Sequence, residues 1–159
     1  MHRMGKGKTK LRDLPEIKAS VRAHASSIEA LHNLSLGDLH PAQVSPTIHA
    51  LWALVDTLSV SIADAKIVAN SKVLHHILPE LIPPIDRTYT FNLFYNRNSL
   101  TVPEEAAFTE MMTGFYGIAV ANRRQVVEHL GSGWNSSKTK VLDNAVVGYV
   151  VDVLQIEEE

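Results

Sequence analysis

SKTKVLDNAVVGYVVDVL, residues 137–154, is the stretch on which the fold class turns. Its centre, 146–151, is rich in β-branched residues of the kind that favour strands. Yet Val141, Leu142, Ala145, Val146, Tyr149, Val150, Val153 and Leu154 recur at intervals of three and four, and strict alternation is broken. The period is helical. We therefore read a broad-faced, central helix from Ser137 to about Leu154.

The same period extends outward from it. Upstream, Gly131 to Gly133 stop a helical stretch running from Arg123 to Leu130. Before that, a long helix from Pro103 carries Phe108, Met111, Met112, Phe115, Ile118 and Ala119 on one stripe, with a kink expected near Gly114 or Gly117. Further upstream, Pro46 to about Leu58 aligns Ile48, Leu51, Trp52, Val55 and Leu58 on one face. Residues 14–34 read as the first helix and 35–44 as a loop, while shorter helices span 62–69, 71–78 and 86–95. Capping residues with an acid three positions on mark several starts: Asp13 with Glu16, Ser61 with Asp64, and Thr101 with Glu104. Ser45 before Pro46 marks another, because proline fits the first helical position. The expectation is an all-α, single compact domain of six to seven helices over residues 13–155. A basic flexible arm (1–12) precedes it, and an acidic tail (156–159) follows.

Composition narrows the function classes. With no cysteine, the chain has no disulfide framework, thiol nucleophile or sulfur-ligated zinc site. The sequence shows no metal site and no cofactor motif, and nothing matches a nucleophile elbow, a P-loop or a His-Glu-x-x-His helix. No stretch approaches the roughly 18 apolar residues of a membrane span, and the basic N-terminus lacks the apolar core of a signal peptide. A cytoplasmic location without membrane attachment is expected. Arg3, Lys6, Lys8, Lys10 and Arg12 make residues 1–12 basic on an acidic body, a charge split that suits nucleic acid or another acidic surface.

Two segments, 70–90 and 134–149, are densest in polar residues with specific geometry. Each places lysine at a predicted helix start, Asn70-Ser71-Lys72 and Ser136-Ser137-Lys138. A helix N-terminus disfavours a cation by about 0.3 to 1 kcal/mol, so each lysine implies either a nearby acid or a bound anion. His75 and His76 point about 100° apart, which prevents both from chelating one metal; they share faces with Ser71 and Lys72 respectively. Asp86 follows a rigid Pro83-Pro84 pair and reads as an N-cap that holds itself and Arg87 beside Tyr89. A buried pair of Asp86 with Lys72 or Arg87 is the structural form of that reading. Trp134 and Asn135 read as a hydrophobic staple and cap, or as an aromatic wall for a planar ligand.

In these segments the chain resembles a group of uncharacterised bacterial helical proteins. The motifs are Ser-Lys-x-Leu-His-His-x-Leu-Pro (71–79), Pro-Pro-Ile-Asp-Arg-x-Tyr-Thr (83–90) and Thr-Lys-Val-x-Asp-Asn-Ala-x-Val-Gly-Tyr (139–149). That resemblance implies a shared helical fold and shared polar positions, and no mechanism. The order of Lys72 and Asp86 also looks like that of helix-hairpin-helix DNA glycosylases, without their glycine-rich hairpin.

The functional expectation is a binding module for an anionic ligand, nucleic-acid phosphate or a nucleotide, drawn from Ser71, Lys72, His75, His76, Asp86, Arg87, Tyr89, Trp134, Asn135 and Lys138. Two alternatives stand beside it. One is an enzyme with Asp86 or His76 as general acid-base. The other is a structural or regulatory homo-oligomeric subunit.

Overall fold

The computed structural model describes residues 11–156; the basic residues 1–10 and the acidic 157–159 lie outside them. Eight α-helices and one 3-10 turn make up the described fold, and no strand does. In chain order they are α1 (Leu14–Ala23), α2 (Ala25–Glu29), the 3-10 turn (Leu36–Asp38), α3 (Pro41–Thr57), α4 (Ile67–Ile77), α5 (Thr90–Tyr95), α6 (Glu104–Ala121), α7 (Arg123–His129) and α8 (Lys138–Asp152). No helix among the described residues is long and apolar enough to cross a membrane.

The core is organised around α6, which buries Ala107, Phe108, Met111, Met112, Phe115 and Ala119 at helical spacing. It packs on α3, α7, α8 and the 3-10 turn. Trp52 of α3 stacks toward Phe108 at 5.6 Å between ring centres, and Phe94 of α5 meets Phe115 at 5.5 Å. Such tilted aromatic pairs add about 0.5 to 1.5 kcal/mol beyond the area they bury. Thus α6 rather than α8 is the central element: α8 buries Val141, Leu142, Val146 and Val150, while Ala145, Tyr149 and Val153 face outward. Nor does α6 break at its glycines. Gly114 makes room for a neighbour instead, because a Cβ there would stand 2.3 Å from the Phe94 ring.

The helix boundaries that differ from expectation do so for identifiable reasons. The first helix stops at Ala23 because the His24 side chain takes the Ser20 carbonyl (2.8 Å), and its backbone N–H turns to Val21. Helix α3 begins five residues before Pro46, opened by Pro41 and capped by His40. The imidazole of His40 accepts from the Ala42 N–H, and the Gln43 side chain accepts from the His40 N–H. Pro46 then lies inside the helix, tolerated because the Ala42 carbonyl it leaves unpaired is at an exposed turn.

Helix α4 starts at Ile67, so the expected helices 62–69 and 71–78 are one element. Its start is satisfied from a distance: Glu104 accepts from the Lys66 N–H at 3.0 Å, and the Lys66 ammonium holds Asp56 at 2.8 Å. Ser61, an expected cap, accepts instead from the Ala63 N–H in a local turn. Asn70, buried in α4, donates to the carbonyls of Val55 and Leu58 and so closes the C-terminus of α3.

Candidate functional site

The most polar-patterned part of the sequence folds into a seam. Residues 79–86 run without helical structure between α4 and α5, and their backbone groups must find partners elsewhere. Side chains from both polar segments supply them. Ser71 accepts from the Ile85 N–H (3.2 Å), and His75 Nδ1–H donates to the Ile82 carbonyl (2.8 Å). From α8, the Thr139 hydroxyl donates to the Pro79 carbonyl and lies 3.3 Å from the same His75 nitrogen. The Leu36 N–H donates to the Glu80 carbonyl, fixing the strap from the other side. The two segments therefore converge in space, through buried polar contacts.

Burial shifts the titration of two groups there. His75 has its pKa lowered, chiefly by loss of solvent, against a smaller rise from its bond to Ile82. Asp143 is pushed up by burial, although its ion pair with Lys140 and the Lys140 charge pull the other way. Asp86 adds repulsion to Asp143, so the acid of one segment is felt by the acid of the other.

The lysines of the second segment meet protein acids. Lys138, in the first turn of α8, pairs with Asp38 at 2.6 Å, and Lys140 pairs with Asp143. The hydrogen bond from Lys138 is the largest cause holding the Asp38 carboxyl below its ordinary range. Ser137 caps α8 by accepting from the Lys140 N–H. Lys72 is not at a helix start at all: it sits on the exposed face of α4, in its second turn. No hydrogen bond or ion pair joins it to Asp86, and His76 beside it is exposed.

Asp86 caps the turn before α5 rather than the helix itself, which begins at Thr90 and not at Asp86. One carboxylate oxygen accepts from the Tyr89 N–H (2.7 Å) and the Thr90 N–H (3.3 Å). Tyr89 is half-buried against the core. Trp134, 87% exposed, staples nothing, and Asn135 ties the turn after α7 by bonding the His129 carbonyl and Asn144. The staple-and-cap reading of that pair is thereby corrected: Ser137, two residues later, is the cap.

What the seam displays is Arg87. It follows the Asp86 cap directly, is exposed, and forms no ion pair or hydrogen bond among the described residues. It stands on the wall between two adjoining hollows that share Arg87 and Ser99. One, about 570 Å³, is polar: Thr88, Asn92, Arg97 and Asn98 line it. The other, about 490 Å³, is lined by Val68, Phe91, Leu100 and Val102 together with the acids Asp64 and Glu104. Among the described residues the Arg97 guanidinium is held only by weak bonds of 3.4 Å to the Tyr95 carbonyl and the Thr101 hydroxyl, and meets no acid.

Sequence reasoning missed Asn92, buried in α5, and Arg97, Asn98 and Ser99, which lie in a turn-rich loop without motif or period. The αL conformation of Asn96 (φ 51°) that ends α5 was the local signal for that turn. No group of three or more metal-binding side chains occurs among the described residues. Compared with protein-family models, curated proteins and solved structures, the chain matches none.

Proposed function

We propose that this chain is a binding module for an anionic, phosphate-bearing ligand, and that Arg87 and Arg97 receive the anion. The observation that carries the reading is the exposed guanidinium of Arg87, free of any acid among the described residues, on the wall of a polar hollow of about 570 Å³. Arginine presents a fork of donors that matches phosphate oxygens two at a time, and Asn98, Thr88 and Ser99 add neutral donors around it. The Asp86 cap and the tethered strap hold the start of α5 in place, so little order remains to be created on binding. A cytoplasmic location, where phosphate esters are at hand, belongs to the same reading.

The lysine-based form of this idea is weaker, since Lys138 and Lys140 are already neutralised by Asp38 and Asp143. The acid-base alternative finds Asp86 occupied with two backbone N–H groups and His76 exposed. A homo-oligomer would use the shallow apolar groove of Leu93, Ile118, Leu142, Ala145, Val146 and Tyr149, and sedimentation velocity checks it.

Isothermal titration with ribose 5-phosphate tests the proposal. Binding that weakens as salt rises, and that falls at least about ten-fold in Arg87→Ala, is the expected result. Equal affinity in the wild type and in both Arg87→Ala and Arg97→Ala rejects it.

A further inference from the structure

Resting on that reading, we infer that the ligand is a single nucleotide, a nucleoside monophosphate whose base carries N–H donors, rather than a nucleic-acid strand. The two hollows differ in chemistry and meet at Arg87 and Ser99. The Arg87–Arg97 half suits one phosphate. The other half is lined by Val68, Phe91, Leu100 and Val102, a largely apolar hollow beside the anion site. A base placed there removes its faces and the exposed Val102 from water.

The two acids in that lining select within the class. Asp64 forms no hydrogen bond or ion pair among the described residues, and Glu104 is fixed in place by the Lys66 N–H. Carboxylates accept hydrogen bonds and donate none, so they favour a base edge bearing N–H groups and ribose hydroxyls. They also repel a second phosphate. In a polynucleotide the ribose 3′ oxygen carries a further phosphate that these acids oppose, while a monophosphate keeps its charge on one group at the arginines. The combined size of the hollows fits a ligand of nucleotide dimensions.

Titration of the full chain with inorganic phosphate, ribose 5-phosphate, adenosine, guanosine and uridine 5′-monophosphates, and a single-stranded oligonucleotide of ten residues separates the outcomes. Guanosine or adenosine monophosphate is expected to bind at least about ten-fold tighter than ribose 5-phosphate at one ionic strength. Val102→Asn, at an exposed position, should remove most of that gain. Asp64→Asn should narrow the preference among bases. Equal binding of ribose 5-phosphate and every nucleotide overturns this inference and leaves the anion site standing, as does an oligonucleotide that outbinds the monophosphates by more than about ten-fold. Failure of every phosphate compound to bind overturns both.

Discussion

The strap at 79–86 and the loop at 96–102 flank the same short helix, and they treat polar groups in opposite ways. In the strap, Ser71, His75, Thr139 and Asp86 all turn inward and satisfy backbone. Around the loop, Arg87, Arg97, Asn98 and Ser99 face an open hollow with few partners. A buried polar group without a partner costs about 1 to 3 kcal/mol, so the strap must be complete for the fold to hold. The loop carries no such obligation, and its donors remain for something else. Several residues of the sequence motifs, Ser71, His75, Thr139 and Asp86, are thus part of the frame, while Arg97, Asn98 and Ser99 at the hollow belong to no motif.

Breaking the frame should give the largest effects on stability. Asn70→Ala strips two carbonyls at the end of α3 of their donor, and a loss of about 3 kcal/mol in urea unfolding is expected. Thr139→Val keeps the shape but removes the donor to Pro79, for a loss of about 2 kcal/mol. If either variant unfolds like the wild type, the inward polar groups are not what holds the strap and its neighbours.

A smaller effect follows from pH. Burial lowers the His75 pKa below its ordinary value of 6.5, so the unfolded chain binds the proton first as pH falls. Its contribution is complete above about pH 6.5 and is lost as pH falls through the lowered folded value. Asp143, raised above 3.8, works with the other sign: its contribution is complete below 3.8 and is lost as pH rises through the raised value. Unfolding of His75→Gln and the wild type in parallel from pH 7.5 to 4.5 isolates the histidine. The wild type should lose stability more steeply on acidification, and parallel curves would contradict the assignment.

The smallest stability effect belongs to the open side. Arg87→Ala and Arg97→Ala should each unfold within about 0.5 kcal/mol of the wild type, because neither guanidinium closes a buried bond. Lys138→Ala should cost at most about 1 kcal/mol, since its pair with Asp38 is half exposed. A large loss at Arg87 would make it part of the frame and erase the contrast.

The all-helical class was legible because long stripes such as Phe108 to Ala119 have one period over many residues. The place where α8 begins was legible from the glycine turn and small polar residues before it, but its cap was read two residues early, at Asn135 instead of Ser137. What stayed hidden was everything decided across the chain. Glu104 opens α4 from 38 residues away, and Asn70 closes α3 from the next helix. The first removes the need for a local cap at 61–64. The misplaced start of α4 then put Lys72 at a helix pole it does not occupy. His40 as a cap was hidden for a different reason: its ring competes poorly with serine or aspartate in general, and only Gln43 completes the arrangement. The Arg87–Arg97 hollow could not be read in advance, because two arginines ten residues apart share a wall only after α5 folds between them.

The central claim is that the phosphate site lies at Arg87, outside the seam of paired lysines. Two-dimensional ¹H–¹⁵N correlation spectra during a titration with guanosine 5′-monophosphate test it most directly. The account predicts saturable shifts concentrated at the amides of Arg87, Thr88, Asn92, Arg97, Asn98 and Ser99. Shifts concentrated instead at Asp38, Arg123 and Lys138, or no shifts at millimolar ligand, would contradict it.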